Sequence, residues 1–519
     1  MHTWLHVIEW RATCDADIVA VRDDRQCLSY GELHARIEER AGGWLTLGVR
    51  SGDIVGVIAH NSVEYVSNVL ALMRLGAIPL LLNWRMPAPE LARILDVCRP
   101  RAVFADPVST ELVTIGDMLT VVDGNREGGW VPVTDLVGDP GSRPVERLAA
   151  AETAVLMHSS GTTGNPKVIP LDHGSLIRSL AGFAIEIGDQ RPGRCHLAMM
   201  PLFHLAGFAQ AMQCFLTGGS LTVHREFDVD RVIDAVADQQ INFFTAAPAV
   251  LEILVDALEG RRRGADMSSL IEVQYGAAPI TPDLLIRAQA TICRRFRQIY
   301  GSTELQGFLT VLRPEDHRAD SATLATAGRI TQGWEVRIRT ADGTPAAPGE
   351  PGELQIRGES LVRGYWGDPE ATAASWTSDG WYRSGDLGSV DSDGYLSIVG
   401  RTKDMIISGG ENVYPAEIER VMAGHPAVRE VAVVGCDDPR WGEVPVAFVV
   451  AVSDGTQATA DDLLAHCRQN LAGFKCPKDV YFVDTLPRNG VGKVVKGPLR
   501  ERARYGRIVA GRGQHGEHG

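Results

Sequence analysis

Residues 160–167 read Ser-Gly-Thr-Thr-Gly-Asn-Pro-Lys and follow directly on the apolar run Ala154-Val155-Leu156-Met157. A buried strand that breaks into glycines, threonines and a lysine is a way for a chain to hold a polyphosphate. Glycines let backbone amides turn toward an anion, hydroxyls add donors and the lysine supplies charge. No Gly-Lys-Ser/Thr follows at the spacing of a Walker loop, so this is a different phosphate loop. Alone, such an octet reads as a flexible polar loop; what surrounds it decides.

The elements that must position this loop are legible around it. Asp53–Ala59 reads as a short apolar strand, Glu64–Leu75 has helical spacing with Gly76 placed to cap it, and Ala77–Leu82 is the next strand. That is the βαβ unit of a parallel sheet. Ser29-Tyr30-Gly31-Glu32 resembles a capping box. From Gly328 the texture changes to short strands with turn signals such as Asp342-Gly343, Asp379-Gly380 and Asp393-Gly394, which predicts antiparallel sheet. After Gly400-Arg401 a helix opens at Pro415 and stops at Gly424 and Pro426, with Ile418, Val421 and Met422 on its apolar face. Strands at Glu430–Val434, Val444–Val452 and Val480–Val483 and a helix at Asp461–Leu471 complete a small α+β unit. The expected fold class is α/β: a large domain of parallel-sheet subdomains over 1–400, with a β-rich part near 328–400. A small mobile α+β domain over 401–505 and a disordered tail at 506–519 follow.

Length and composition bound the rest. A chain of 519 residues needs more than one core. Its net charge of -14 argues against a general nucleic-acid binder, which needs a basic face to release counterions. The nine cysteines are scattered with no Cys-x-x-Cys pair, as expected of reduced thiols in a cytoplasmic protein without a zinc site. The most apolar stretch, Tyr65–Leu82, contains Arg74 and Gly76 and is not a membrane span, and the N-terminal residues lack the apolar core of a signal peptide. Nothing in the sequence speaks to oligomeric state.

Six strings stand in order along the chain. After the loop come Pro201-Leu202-Phe203-His204, Tyr275-Gly276-Ala277-Ala278-Pro279 and Tyr300-Gly301-Ser302-Thr303-Glu304. Then follow Trp381–Gly388 with Asp386 inside it, Gly400–Pro415, and Pro487-Arg488-Asn489-Gly490-Val491-Gly492-Lys493. Together with the loop, this set resembles the adenylate-forming superfamily of acyl-CoA synthetases, adenylation domains and luciferases, and is closest to its acyl- and aryl-CoA ligases. The resemblance spans nearly the whole chain.

It implies an AMP-forming acid–thiol ligase: a carboxylic acid and ATP give an acyl-adenylate and pyrophosphate, and the acyl group passes to CoA. The carboxylate is a poor electrophile and both reactants are anions, so the site must neutralise charge, align an oxygen with the α-phosphorus and exclude water. By resemblance Ser160, Gly161, Thr162, Thr163, Gly164 and Lys167 hold phosphates, and Glu304 holds Mg²⁺, a hard cation suited to oxygen ligands. Asp386 takes both ribose hydroxyls and Arg401 reinforces the ribose or the phosphate grip. Gly276, Ala277 and Ala278 pack on adenine and Tyr300 covers its other face, with Gly301, Ser302 and Thr303 also among the nucleotide-binding residues. His204 stands beside the acyl carboxylate, in a pocket drawn from Leu205, Ala206, Ala247, Val250, Gly301 and Leu305. Those pocket residues carry no charge, which points to an apolar acid, whether aryl, fatty or polycyclic. Lys493, on the small domain, bridges carboxylate and α-phosphate during adenylation; Lys403 is the hinge of the domain swing. Gly409 and Gly410 leave a passage for pantetheine, with Trp441, Phe474 and Lys478 near the CoA nucleotide and Cys476 where some relatives carry an arginine.

One departure stands out. The family follows the loop lysine with glycine, whereas Lys167 is followed by Val168. A β-branched residue adopts positive φ only with strain, about 1–3 kcal/mol, or roughly tenfold to more than a hundredfold on a rate. That predicts either adenylation slowed or even lost with the thiol step intact, or a loop that relaxes to ordinary activity. A non-catalytic adenylate binder is the alternative from another class, disfavoured by the presence of Lys493, Glu304 and Asp386. Amino-acid adenylation is disfavoured because His204 occupies the region where those domains place an aspartate, and luciferase-type oxygenation would be a side activity.

Overall fold

The computed structural model describes residues 2–113, 118–124, 129–138, 148–159, 166–188, 191–278, 280–318, 322–452, 458–488 and 494–513, with side chains to 505. The chain forms two compact units: Met1–Glu335 with Arg357–Thr377, and Val336–Ile356 with Ser378–Gly519.

The first unit is built on two largely parallel sheets. One has seven strands in the order Val131–Pro132, Leu119–Val122, Ala102–Ala105, Ile54–Ile58, Ile78–Leu81, Thr153–His158, Val168–Asp172, parallel except for the last. The other has nine, with Ser220–Val223, Cys195–Ala198, Phe243–Ala246, Glu272–Gly276 and Phe296–Ser302 as its parallel centre. Strands buried on both faces read as continuous apolar runs, which is why Ile54–Ile58 and Ile78–Leu81 were visible in the sequence. The helix between them, Val63–Leu75, is buried at every residue except Arg74 and ends on Gly76 in the left-handed conformation at φ +74°. Its buried Glu64 is satisfied by Arg36 at 2.6 Å. Ser29 and Glu32 form the expected capping box on the helix Tyr30–Thr46.

In the second unit, Gly352–Gly358, Tyr382–Val390 and Leu396–Arg401 pair antiparallel in a four-stranded sheet. The α+β part follows: Val428–Asp438 and Gly442–Ala451 form a long antiparallel pair, extended by Ile406–Ser408, Glu411–Val413 and Asp479–Phe482. Helix Pro415–Ala423 starts on its proline and buries Ile418 and Met422, while Val421 is half-buried. The last helix runs Lys496–Gly513, continuing past Tyr505 into the stretch expected as a tail, as its arginines and alanines favour. Parallel α/β sheets, an antiparallel part and a final α+β part are thus the fold class read from the sequence. All nine cysteines are free thiols, and among the described residues no helix is long and apolar enough to cross a membrane.

Four histidines of the first unit are desolvated by burial. Burial holds His158, His173, His196 and His224 at about 4, below their ordinary 6.5. Below pH 6.5 the unfolded chain binds protons that the folded chain refuses until about pH 4. Stability is therefore full above 6.5 and falls as pH drops through that window, by about 1.4 kcal/mol per pH unit for each histidine. The midpoint of urea unfolding is expected to fall steeply between pH 7 and 5; a flat profile there would contradict neutral burial.

Candidate active site

The phosphate loop itself, Ser160, Gly161, Thr162, Thr163 and Gly164, lies outside the described residues, but its neck is defined. Ser159 N–H donates to the Lys167 carbonyl at 2.9 Å, and Lys167 N–H donates back to Ser159 Oγ at 3.3 Å. The Lys167 ammonium lies 4.2 Å from the centre of the Tyr365 ring and 3.5 Å from Ser375 Oγ. Val168 opens the strand Val168–Asp172, pairs with His158 and is buried among Leu80, Leu156 and Trp366. It is extended and is not among the non-glycine residues at positive φ, so the strain expected of a β-branched residue there does not arise. The inference failed because it treated position 168 as loop, whereas the polypeptide has already entered the sheet.

One of four non-glycine residues at positive φ among the described residues is Ala277, with φ +67° on an exposed turn after the strand Glu272–Gly276. A side chain on Gly276 would meet the Ile299 carbonyl at 2.6 Å, so glycine is needed for that close approach. Gly276, Ala277 and Ala278 leave the sheet beside Tyr300, because Gly276 pairs with Ile299 on the neighbouring parallel strand. The next residues turn sharply: Gly301 lies against Gly307 and Phe308 with no room for a Cβ, and Thr303–Leu305 form a single 3₁₀ turn. Glu304 stands in that turn. Its Oε1 accepts the Tyr365 hydroxyl at 3.2 Å, and Oε2 has no hydrogen bond among the described residues. No cluster of three metal-binding side chains occurs among the described residues. A lone carboxylate with one oxygen unengaged fits Mg²⁺, which keeps water and substrate phosphate in most of its coordination positions. Ser302 Oγ is buried without a partner there. Leu305 is fully buried in this turn, and Gln306 beside it adopts φ +55° and binds the helix-capping Asp172 through both amide atoms.

His204 is half-buried and caps the helix Leu205–Thr217, its Nδ1 accepting the Ala206 N–H at 3.4 Å, which assigns the ring proton to Nε2. The turn that presents it is clamped by a residue the motif search missed. Asn61, buried at the end of the strand Ile54–Ile58, accepts the Leu202 N–H at 2.9 Å and donates to the Met200 carbonyl at 2.9 Å and the His224 carbonyl at 3.2 Å. Asn61→Ala removes the partner of three backbone groups, two of them on buried residues and one on the half-buried Met200. The expected loss is about 2–4 kcal/mol of stability, together with a fall in kcat as His204 shifts, checked by urea unfolding and steady-state kinetics. Full activity and stability in that variant would contradict the clamp.

His158 ends the strand before the loop, accepts the Asn83 N–H at Nε2 (3.3 Å), and carries a buried Nδ1 with no partner among the described residues. Of the expected pocket residues, Leu205 is buried, Ala206, Ala247 and Val250 are half-buried, and Gly301 is exposed.

In the second unit, Asp386 pairs with Arg401 across neighbouring strands, Oδ1 to Nε at 3.0 Å, and its backbone N–H is held by Ser384 Oγ at 3.0 Å. Lys403 follows in the 3₁₀ turn Thr402–Asp404; desolvation lowers its ammonium pKa, and Arg401 and Arg500 add to that against Asp404 and Asp386. Arg500 closes on Asp404 at 2.6 Å. Gly409 and Gly410 both take positive φ, and a Cβ on Gly409 would meet the Trp441 ring at 2.9 Å. The Gly409 N–H donates to the Trp441 carbonyl at 2.7 Å, so the two glycines and the partly exposed indole are one feature. Phe474 is also exposed, whereas Cys476 is buried with its thiol pKa raised by desolvation. The Lys478 N–H is held by the Pro445 carbonyl at 2.9 Å. Lys493 lies outside the described residues.

Comparison with known proteins gives the family. The profile of the AMP-binding enzyme family matches residues 8–366, and that of the AMP-binding enzyme C-terminal domain matches 417–493. A feruloyl-CoA synthase from Amycolatopsis sp is 37% identical over 496 residues, covering 95% of this chain and 97% of that protein. An indoleacetate–CoA ligase from Aromatoleum aromaticum is 34% identical over 508 residues, covering 96% and 98%. The solved o-succinylbenzoate-CoA synthetase of Bacillus subtilis, in complex with its acyl-adenylate intermediate, aligns at a TM-score of 0.82 and 28% identity, covering 96% and 98%. With likeness extending over both parts of the chain, this protein belongs to the AMP-binding enzyme family, in its acyl- and aryl-CoA ligase branch.

Proposed function

We propose that this protein activates an apolar carboxylic acid bearing an aromatic ring and transfers it to CoA. The carboxylate oxygen bonds to the α-phosphorus of ATP as pyrophosphate leaves; the CoA sulfur then bonds to the acyl carbon as AMP leaves and the thiol proton is released. The observation that carries the reading is the meeting, within one unit, of the loop lysine Lys167 and the carboxylate of Glu304 on the same tyrosine. Cationic and carboxylate groups in that relation suit a triphosphate and its cation.

In this reading Ser160, Gly161, Thr162, Thr163, Gly164 and Lys167 hold the phosphates, Glu304 would hold Mg²⁺, and Gly276–Ala278 with Tyr300 enclose adenine. Mg²⁺ supplies neutralisation of phosphate charge when bound; the Bacillus subtilis relative has been solved with ATP and magnesium ion. Asp386 and Arg401 take the ribose, His204 faces the carboxylate, and Lys493 bridges it to the α-phosphate. Gly409, Gly410, Trp441, Phe474 and Lys478 serve CoA, and Lys403 serves as the hinge of a mobile small domain. The aromatic preference is supported by relatives named for feruloyl and indoleacetate groups and by the uncharged pocket set. With Val168 extended, ordinary adenylation is favoured over an impaired first step.

A panel of aryl, fatty and dicarboxylic acids, scored by mass spectrometry for adenylate and thioester separately, tests the reading. Aryl acids are expected to give both products with the highest kcat/KM. A fatty or dicarboxylic acid outranking them would overturn the substrate class, and nucleotide binding with neither product would overturn the ligase reading.

A further inference from the structure

We infer that Tyr365 is a positioning residue that keeps Lys167 and Glu304 apart, so that each remains available to its own part of a metal–nucleotide substrate. The inference rests on the function proposed above. The lysine ammonium lies on the ring face at 4.2 Å, while the phenol hydroxyl donates to Glu304 Oε1 at 3.2 Å. A lysine and a glutamate this near one tyrosine would otherwise draw together, and no ion pair between them occurs among the described residues. The ring substitutes a cation–π contact for that pairing, and the hydroxyl engages one carboxylate oxygen while leaving Oε2.

The surroundings fix the ring rather than merely accommodate it. Tyr365 is 7% exposed and packs edge-on to Trp376 at 5.8 Å, and its N–H donates to Thr372 Oγ1 at 2.9 Å. The same short segment is sewn to both groups it serves: the Val362 N–H donates to the Glu304 carbonyl at 2.9 Å, and the Trp366 N–H to the Val168 carbonyl at 2.8 Å. Backbone contacts at both ends and side-chain contacts between them set the lysine and carboxylate at one spacing, and the ring is the spacer.

Calorimetric titration of ATP, with and without Mg²⁺, on the wild type, Tyr365→Phe, Tyr365→Leu and Glu304→Gln separates the contributions. Tyr365→Phe keeps the spacer and loses the hydroxyl; it is expected to weaken MgATP about five- to tenfold while metal-free ATP binds as in the wild type. Tyr365→Leu removes the ring as well and is expected to weaken both forms, because Lys167 then pairs with Glu304. If Tyr365→Leu does not fold, Tyr365→Met, which fills the space without an aromatic face, tests the ring in its place, while Tyr365→Phe tests the hydroxyl. Wild-type discrimination between MgATP and ATP in Tyr365→Phe, with that discrimination lost in Glu304→Gln, would overturn the positioning role and leave the proposed function standing. Discrimination unchanged in Glu304→Gln would instead refute the placement of the cation on Glu304. A variant that lowers only the melting temperature would show that Tyr365 is structural.

Discussion

Replacing Lys493 with alanine is expected to lower carboxylate-dependent pyrophosphate exchange by about 10²- to 10³-fold, the cost of removing one preorganised group aimed at developing charge. Thioester formation from a supplied acyl-adenylate should continue at near the wild-type rate. The reasoning is that only the first step needs a cation between two anions: the carboxylate must approach a phosphorus ringed by negative oxygens. In the second step the thiol attacks a carbonyl already activated by its adenylate, and the bridging charge has no comparable task. Thioester assays with synthetic adenylate and exchange assays with free acid, on the same preparation, give the two numbers. Equal loss in both would refute the assignment and make Lys493 a general structural or binding residue.

Asp386→Ala is expected to weaken ATP by roughly 30- to 1,000-fold, equivalent to about 2–4 kcal/mol for charge-assisted hydrogen bonds to a vicinal diol. Asp386 is 8% exposed and its partner Arg401 is 3.0 Å away, so its loss also leaves a guanidinium without its carboxylate. Asp386→Asn separates these effects, since it keeps an acceptor near the hydroxyls but not the ion pair. Its affinity should fall between those of the wild type and the alanine variant. The loss should be much smaller for a triphosphate lacking the ribose hydroxyls, because there is then less for Asp386 to recognise. An equal loss for both nucleotides would show that Asp386 acts through Arg401 and the fold of its sheet.

The fold was legible where pattern is local. Apolar runs marked the buried strands Ile54–Ile58 and Ile78–Leu81 to within one residue at each end, and Gly76 marked a helix end and Pro415 a helix start, whereas the strand expected at Glu430–Val434 runs on to Asp438. What escaped was long-range. Asn61 reaches Leu202 across 141 residues, and Tyr365 reaches Glu304 across 61. Neither has a sequence period or a neighbouring motif to announce it, because the partner strands and turns are brought together only by sheet order. The signals available were a polar asparagine at the end of an apolar strand and an aromatic beside Gly364, both too common to interpret alone. The error at Val168 has the opposite origin: a motif was extended one residue too far, past the point where the sheet resumes. Positive φ at non-glycine residues falls on Arg99, Gln240, Ala277 and Gln306; Ala277 and Gln306 lie in the turns after the strands Glu272–Gly276 and Phe296–Ser302, and neither carries a sequence mark of left-handed geometry.

The direct test of adenylate chemistry is isotopic. With a carboxylic acid carrying ¹⁸O in both carboxylate oxygens, turnover with ATP and CoA should deliver one ¹⁸O into the phosphate of AMP for every thioester formed, as mass spectrometry of the nucleotide would show. Unlabelled AMP, or label recovered in inorganic phosphate alongside ADP, would contradict an acyl-adenylate and with it the account given of this protein.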